Sequence, residues 1–332
     1  MRIFEPIPLL SLAQAHRSIF LPCIPRLVTA FICAAFLASC TSGASVKARI
    51  LRNTAKAAYL HEFFPRWQPL DGGVEVLAGR TKYPPLKFWA VRIDLKNPAL
   101  EIVLTPPPVP EQRKYTAPPL PYGSIYSTKV SSFARANRCL AALNAGPFWP
   151  VTAREREERT VTGIFIADGT RFADNAPQYG ALVFYQDGRA AIVVQSALAG
   201  GTEAVQNAAG GFFTVLDSGE VGRHVFNRTA RHPRSAAGLS ADGRFLYLLA
   251  IDGRWFDTIG ATEAETGLLL SKLGAYNGLN LDGGGSTALA LQNTSGGIFI
   301  LNRPIHKQIP GKERAVATCI GIRRRLNAPL LE

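Results

Sequence analysis

The sequence predicts an α+β fold: a single domain in which many short strands form mixed sheets with a few packed helices. Three observations lead to this prediction. Short apolar runs separated by Asp-Gly turns recur along most of the chain, as they do in a strand meander. Only a few segments have helical spacing. Of the 332 residues, 47% are hydrophobic and 18% are charged, a balance typical of a folded protein.

The N-terminal residues predict a lipoprotein-type signal segment (1–40). The apolar run LVTAFICAAFLA at 27–38 is shorter than the ~20 residues that a transmembrane helix needs. The next residues, LASC, end at Cys40 and resemble a bacterial lipobox, in which the cysteine is lipidated and becomes the mature N-terminus. An ordinary secretory signal and a buried apolar segment are the alternatives. The predicted location is the bacterial cell envelope, lipid-anchored to the membrane and facing the periplasm or the exterior.

A tether with an N-terminal helix (41–74) is predicted next, because residues 46–64 place apolar side chains on one helical face. Strand patterns dominate from Val74 onward, and FWAVRIDL at 88–95 alternates as a half-buried strand does. The proline-rich stretch 106–121 predicts an extended surface loop.

Two helices are predicted in the domain that follows (75–326). Residues 128–137 have the spacing of a short helix. Thr262 and Glu265 have the spacing of a capping box, and the apolar residues after them supply the buried face of a second helix. Gly274 is placed to end that helix.

Charge and cysteine usage limit the partners and cofactors. The formal net charge of +13 favours anionic partners, such as phosphate-bearing glycans or lipid headgroups. No basic stripe is interleaved with stacking aromatic residues, so nucleic acid is not a predicted partner. Cys139 and Cys319 lie in apolar settings and are predicted to be buried, with a disulfide as the alternative. No cysteine pair has metal-ligand spacing, so no metal is predicted there. The charged run REREER at 154–159 predicts a solvated loop.

The stretch LNLDGGGSTALAL at 279–291 places an acid and three glycines between two strand-like runs. Asn280 and Asp282 share one face of the first strand, because alternate residues point to the same side. Glycines after a strand let main-chain amides converge on an anion, and they remove Cβ atoms that would block a ligand. The alternative is a glycine-rich turn in which the acid is a local cap. The candidate substrate-binding residues of this stretch are Asn280, Gly283, Gly284, Gly285 and Ser286.

Four stretches resemble the phosphodiester glycosidase family, in the family's order. LGAYNGLNLDGGGSTALAL at 273–291 resembles its signature. The others are STKVSSFARANRCLAALNAGPFW at 127–149, RHPRSAAGLSADGRFLYLLAIDGR at 231–254 and ERAVATCIGI at 313–322. Members of that family remove N-acetylglucosamine, or a related sugar, from a sugar-1-phosphodiester. The resemblance therefore implies a glycosidase.

The resemblance also implies catalytic candidates. Glycosidic cleavage passes through an oxocarbenium-like transition state, usually with two carboxyl groups in attendance. Asp282 is the first candidate, as base, nucleophile or electrostatic stabiliser. Asp252 is the second, with a plain Asp-Gly-Arg turn as the alternative. His232 either protonates a leaving oxygen or donates a hydrogen bond to it.

Arginine and asparagine side chains are the remaining binding candidates. Arg231 and Arg234 offer bidentate forks for phosphate, with a solvated basic loop as the alternative. Asn144, like Asn280, either holds a sugar group or satisfies main-chain groups at a strand end. Three roles are open for Arg314: pairing with Asp282, contact with the phosphate, or a surface ion pair.

The predicted function is hydrolysis of an N-acetylglucosamine-like sugar-1-phosphodiester, carried by a phosphorylated glycan or glycolipid, without a cofactor. One alternative is a non-catalytic lipoprotein that binds phosphate-bearing envelope polysaccharide. Another is a phosphodiesterase that cuts the P–O bond, and a divalent cation at Asp252 and Asp282 also stays open. His224 and His306 are assigned structural roles.

Overall fold

The computed structural model describes residues 64–105 and 120–325. The predicted signal segment, the lipidation site Cys40 and most of the loop 106–121 therefore lie outside the described residues. Of the predicted helix 46–64, only Phe64 is described, and it begins a strand. No helix in the described part of the chain is long and apolar enough to span a membrane.

Among the described residues the secondary structure is mostly β, with two α-helices. The helices are α1 (Val130–Ala136) and α2 (Glu263–Leu273). The strands, in chain order, are β1 (Phe64–Asp71), β2 (Val74–Thr81), β3 (Leu86–Asp94), β4 (Leu100–Leu104), β5 (Ser124–Tyr126), β6 (Ala141–Asn144), β7 (Phe148–Trp149), β8 (Glu158–Val161), β9 (Phe165–Ala167), β10 (Thr170–Ala173), β11 (Gly180–Tyr185), β12 (Ala190–Val194), β13 (Val205–Gly210), β14 (Thr214–Asp217), β15 (Glu220–Val221), β16 (Arg234–Leu239), β17 (Phe245–Ile251), β18 (Asn277–Asn280), β19 (Leu289–Gln292), β20 (Ile298–Ile300), β21 (Ile305–His306), β22 (Ile309–Pro310) and β23 (Cys319–Arg324).

The strands form three large sheets and two small ones. The largest has eight strands in the order β1-β2-β3-β17-β16-β18-β14-β15. The two five-stranded sheets have the orders β10-β9-β13-β11-β12 and β20-β19-β6-β23-β4. Every pairing between these strands is antiparallel, so the prediction of mixed sheets is wrong. Short turns between neighbouring strands permit only antiparallel pairing, whereas parallel strands need a long crossover. The predicted strand-rich fold with few helices is confirmed.

The main core lies between the eight-stranded sheet and the two five-stranded sheets. Val91 and Leu279 of the first sheet belong to the same buried cluster as Leu143, Leu182 and many other apolar residues of the other two. The opposite face of the eight-stranded sheet is covered by α2, and a second buried cluster lies there. Burial of both faces explains why several central strands are almost continuously apolar.

The strand register brings two strand ends together at one place. Strand β6 lies between β19 and β23 and ends at Asn144. In the largest sheet, Ala236 of β16 lies opposite Asn280, the last residue of β18. Just beyond these ends, the amide of Asp282 donates to the carbonyl of Ala145 over 2.9 Å. This junction positions the candidate site.

Local predictions are confirmed where local chemistry decides the structure. The Thr262 hydroxyl accepts from the Glu265 amide at 3.1 Å, and the Glu265 carboxylate accepts from the Thr262 amide at 3.0 Å, which completes the capping box. Gly274 ends α2 in the left-handed conformation. The two described cysteines, Cys139 and Cys319, are buried free thiols.

The predicted solvated loop at 154–159 is wrong at its C-terminal end. Arg159 belongs to strand β8 and is only 1% exposed. Its guanidinium donates to the Glu157 carboxylate at 2.9 Å and to the Glu158 carbonyl at 2.7 Å. Neighbouring acceptors thus compensate for removing this cation from water.

Candidate active site

The three glycines after Asp282 lie where side chains of other segments approach the main chain. The chain continues from Gly283 into a short 3-10 helix, Gly284–Ser286. A Cβ atom on Gly283 would lie 2.7 Å from the Pro233 carbonyl oxygen. On Gly284 it would lie 3.1 Å from the Arg254 guanidinium, and on Gly285 2.5 Å from that of Arg314. The glycines therefore make room for two guanidinium groups and one carbonyl group.

Main-chain amides of this loop already have acceptors within the protein. The Gly284 amide donates to the Pro233 carbonyl at 2.8 Å, and the Ser286 amide to the Gly283 carbonyl at 3.1 Å. The Gly283 amide donates to the Asp282 carboxylate. The predicted contacts of Gly283, Gly284 and Gly285 with phosphate stay a prediction.

Asp282 carries the carboxylate at the centre of this arrangement. Burial of the carboxyl group raises its pKa to about 6, although hydrogen bonds from the Ser286 side chain and the Gly283 amide and the charge of Arg314 act in the opposite direction. A carboxyl group with this pKa is mostly ionised at neutral pH and protonated below it. Such values are typical of carboxyl groups that do acid–base or nucleophilic work.

Arg314 is linked to Asp282 through Ser286. Its Nη1 donates to the Ser286 hydroxyl oxygen at 3.0 Å, and its Nε donates to Nδ1 of His306 at 3.0 Å. The side chain is half-buried and lies against Gly285. One hydrogen-bonded series thus connects Asp282, Ser286, Arg314 and His306. His306 was not among the binding candidates, because nothing in the sequence pairs it with Arg314.

Arg254 is a second guanidinium that the sequence analysis did not select. It follows Asp252-Gly253 at the end of the second family-like stretch, with a left-handed φ of 65°. The residue is exposed, and its Nη2 lies over Gly284. Its place in the Asp-Gly-Arg triplet at the end of the family-like stretch 231–254 was the signal that could have identified it.

His232 lies near Arg254 and is held by main-chain hydrogen bonds to Ala261, the residue before the N-cap of α2. Its amide donates to the Ala261 carbonyl at 3.2 Å and its carbonyl accepts from the Ala261 amide at 3.0 Å. Burial, and then the charges of Arg234 and Arg254, lower the pKa of the imidazole. His232 is therefore neutral at pH 7 and suited to exchanging a hydrogen bond.

Arg231 and Arg234 have partners within the protein. Arg231 makes a bidentate pair with Glu265 at 2.8 and 2.5 Å. Arg234 is buried, donates from Nε to the Ala261 carbonyl at 3.0 Å and lies 3.5 Å from the Glu263 carboxylate. These contacts tie the His232 segment to the start of α2. The predicted phosphate contacts of both arginines stay a prediction.

The two asparagine candidates differ in their contacts. Asn144 is fully buried; its Nδ2 donates to the Asp282 carbonyl at 2.5 Å, while its Oδ1 accepts from the Ser235 hydroxyl at 2.7 Å and the Ala288 amide at 3.2 Å. These contacts match the alternative in which Asn144 satisfies main-chain groups at a strand end. Asn280 is also buried, but its Oδ1 has no hydrogen-bond partner among the described residues.

Asp252 is 1% exposed and is connected through Asn302 to Thr287, which follows the glycine loop. Its carboxylate accepts from the Arg303 amide at 3.0 and 3.1 Å and from the Asn302 side chain at 3.1 Å. Burial raises its pKa to about 7, against these hydrogen bonds. Asn302 also donates to the Thr287 carbonyl at 3.2 Å. These contacts are structural, because they connect Asp252 to Asn302 and Arg303. The predicted catalytic role of Asp252 stays a prediction.

No group of three or more His, Cys, Asp or Glu side chains within 64–105 and 120–325 is arranged to hold a metal ion. The residues that the structure brings together are instead one carboxylate, two guanidinium groups, two imidazoles and one hydroxyl. Two guanidinium groups beside a carboxylate suit an anionic leaving group, because they neutralise the charge that develops on its oxygen atoms.

Comparison with protein families gives one match. The model of the phosphodiester glycosidase family matches residues 137–323, which include every candidate site residue described above. A protein of Bacillus subtilis strain 168, the SPbeta prophage-derived uncharacterized protein YomE, is 29% identical over 212 residues. That alignment covers 60% of this chain but 30% of YomE.

Solved structures with the same fold include two from distant organisms. A hypothetical protein from Synechocystis superimposes with a TM-score of 0.58 at 16% identity, over 79% of this chain and 64% of that chain. The catalytic domain of zebrafish N-acetylglucosamine-1-phosphodiester alpha-N-acetylglucosaminidase, auto-inhibited by its pro-peptide, superimposes with a TM-score of 0.55 at 19% identity. This match covers 76% of this chain and 83% of that chain.

Proposed function

Because the chain belongs to the phosphodiester glycosidase family, we propose that it hydrolyses the glycosidic bond of a sugar-1-phosphodiester at the glycine loop. The observation that carries this proposal is the Asp282 carboxyl group, whose pKa of about 6 accompanies two guanidinium groups lying against Gly284 and Gly285. The carboxylate acts at the anomeric carbon, and the guanidinium groups hold the phosphate.

The charged groups of the site match the charges that develop on the substrate as the glycosidic bond breaks. As the glycosidic bond breaks, the anomeric carbon gains positive charge and the phosphate oxygen gains negative charge. An ionised Asp282 stabilises the first by electrostatic attraction while water attacks the anomeric carbon, or it attacks that carbon itself and water then breaks the glycosyl ester; either route releases free sugar. Arg254 and Arg314 stabilise the second, so strong acid catalysis is not required. The neutral His232 then serves as a hydrogen-bonding group rather than as the main acid.

The proposed substrate is a phosphorylated glycan or glycolipid that carries an N-acetylglucosamine-like sugar. The net charge of +13 supports an anionic substrate. Asn280 supports a neutral sugar contact, because its buried Oδ1 lacks a partner among the described residues and can accept from a hydroxyl or acetamido group.

The proposed place of action is the bacterial envelope, with a lipid anchor at Cys40. Its support is the LASC sequence at the end of an apolar run. Labelling of expressed protein with radioactive palmitate, beside a Cys40→Ser control, tests it. Label in wild type alone supports the anchor, and absence of label from both proteins contradicts it.

The experiment that tests the activity is hydrolysis of N-acetylglucosamine-α-1-phosphomethyl by wild type and Asp282→Asn. Free sugar from wild type alone supports glycosidic cleavage with Asp282 as the acting carboxylate. Sugar-1-phosphate as product would move the reaction to phosphorus and favour a metal-assisted phosphodiesterase. Binding of several sugar-1-phosphodiesters without turnover would support the non-catalytic binding lipoprotein.

A further inference from the structure

His306 and Arg314 form a pair whose geometry sets which nitrogen of the imidazole carries the proton. Arg314 is always protonated and its Nε can only donate, so Nδ1 of His306 must accept the 3.0 Å hydrogen bond. The neutral imidazole then carries its proton on Nε2. Burial lowers the pKa of His306 to about 4, assisted by the charges of Arg314, Lys307 and Lys312. The acceptor is therefore available throughout the neutral range.

The environment of Nε2 indicates that packing is not the only role of His306. His306 is 1% exposed, and its Nε2 has no hydrogen-bond partner among the described residues. A buried N–H group without a partner is destabilising. A leucine would occupy a similar volume without that cost. The compensating interaction is the hydrogen bond between Nδ1 and Arg314.

Two contacts at separate nitrogens fix the plane of the Arg314 guanidinium. Nε is held by His306 and Nη1 by the hydroxyl oxygen of Ser286. Nη2 lies against Gly285, 2.5 Å from the position that a Cβ atom would occupy. The remaining N–H groups therefore face the loop that carries Asp282. Without His306, the side chain would keep only the Ser286 contact and could rotate about its last torsions.

We propose that His306 is a positioning residue, which holds the Arg314 guanidinium in the orientation that binds a phosphate group at the glycine loop. This inference rests on the proposed function, because it assigns the Arg314 guanidinium to the phosphate. It specifies a histidine, rather than an acidic residue, as the partner of the phosphate-binding arginine. A carboxylate there would neutralise the guanidinium, whereas a neutral imidazole orients it and leaves its full charge for the anion.

The test uses the ¹⁵N-labelled full chain, titrated with inorganic phosphate while the Arg314 Nε–H signal is followed by NMR. Three variants accompany wild type: His306→Leu removes the acceptor, His306→Gln retains an acceptor, and His224→Leu repeats the first exchange at an exposed histidine. Wild type is expected to show His306 with an unprotonated Nδ1. In His306→Leu the dissociation constant for phosphate should rise about 10- to 100-fold, the range for one lost hydrogen bond to a charged group. His306→Gln should recover most of the affinity, and His224→Leu should behave as wild type.

Three results would overturn the inference: a proton on Nδ1 of His306, no response of the Arg314 signal to phosphate, or unchanged phosphate affinity in a folded His306→Leu. Far-ultraviolet circular dichroism establishes folding. If the leucine variant is unfolded, the position of the proton on His306 and the response of the Arg314 signal to phosphate, both measured in wild type, decide the question. Parallel turnover assays separate this inference from the proposed function. Phosphate binding through Arg314 that weakens in His306→Leu, with no release of sugar by wild type, would refute the function and support the positioning role.

Discussion

The side-chain amide of Asn144 donates to the main-chain carbonyl of Asp282 over 2.5 Å, across 138 positions of sequence. The same side chain accepts from Ser235 and from Ala288. One buried asparagine thus joins the end of β6, the neighbouring strand of the largest sheet and both sides of the glycine loop. The orientation of the Asp282 carboxylate depends on this junction.

Asn144→Ala should destabilise the fold by about 2–4 kcal/mol, because it leaves buried donors and acceptors without partners. The measurement is urea unfolding followed by tryptophan fluorescence. Asn137→Ala, which removes one hydrogen bond to the Phe133 carbonyl in the last turn of α1, serves as a control with an expected loss below about 1 kcal/mol. Wild-type stability combined with weaker substrate binding would instead assign Asn144 to the sugar.

Asp282→Asn should lower kcat/KM about 10²- to 10⁴-fold, the usual contribution of an acting carboxyl group. In wild type, log kcat/KM should rise with pH through about 6 and level off above it, because the ionised form is the active one. The same exchange at another Asp-Gly turn, Asp168→Asn, should leave both the rate and the profile unchanged. An active wild type with no inflection between pH 4 and 8 would show that Asp282 is not the titrating group.

Gly285→Ala should reduce kcat/KM about 100-fold, because a methyl group there would meet the Arg314 guanidinium at 2.5 Å and displace it. Gly72→Ala is the matched control, since a Cβ atom at Gly72 has no neighbour within 4 Å. Steady-state kinetics of both variants provide the comparison. Equal activity of Gly285→Ala and wild type would mean that the position of Arg314 does not matter.

Arg254→Ala should lower kcat/KM about 10- to 100-fold with little change in stability, because the residue is exposed and its lost contact is to the bound phosphate. Arg254→Lys should recover part of the activity by restoring the charge without the planar fork. Arg189→Ala, at an exposed arginine in the turn between β11 and β12, is the control for net charge. A loss of equal size in Arg189→Ala would indicate long-range attraction instead of contact.

Asp252→Asn should flatten the dependence of stability on pH. The pKa of Asp252 is about 7 in the folded chain, above its ordinary value of 3.8, so its contribution is complete below about pH 4 and is lost as the pH rises through 7. The loss in wild type is on the order of 4 kcal/mol. The measurement is urea unfolding at several pH values between 4 and 8. Asp187→Asn, whose wild-type carboxyl has a lowered pKa, should retain the wild-type slope over this range.

The parts of the fold that could be predicted are those decided by neighbouring residues. The capping box of α2 and the stop at Gly274 depend on groups within a few positions, and both were predicted. The sheet type was not, because the pairing of β16 with β18 joins segments some forty residues apart. The hydrophobic pattern of a strand shows which of its faces is buried, but it does not show whether a distant partner strand runs parallel or antiparallel to it.

The same distinction holds within the site. Asp282 and its glycines stood out because they form one contiguous stretch. Arg231 and Arg234 were predicted to bind phosphate because no carboxylate partner was evident nearby in the sequence. Their partners, Glu265 and Glu263, lie on a helix about thirty residues later. His306 gave no signal, because only the folded chain brings its ring to Arg314.

The junction between β6 and the glycine loop also affects the order in which parts of the chain fold. The contacts of Asn144 with Asp282 and Ala288 join residues 138 and 144 positions apart, so each closes a long loop of chain. Such non-local contacts form late, after hairpins and helices. During refolding, strand and helix signals should therefore recover before enzymatic activity does. The recovery of the proposed activity would then mark the completion of the site, and a nascent chain that lacks β23 and Arg314 is expected to show no activity.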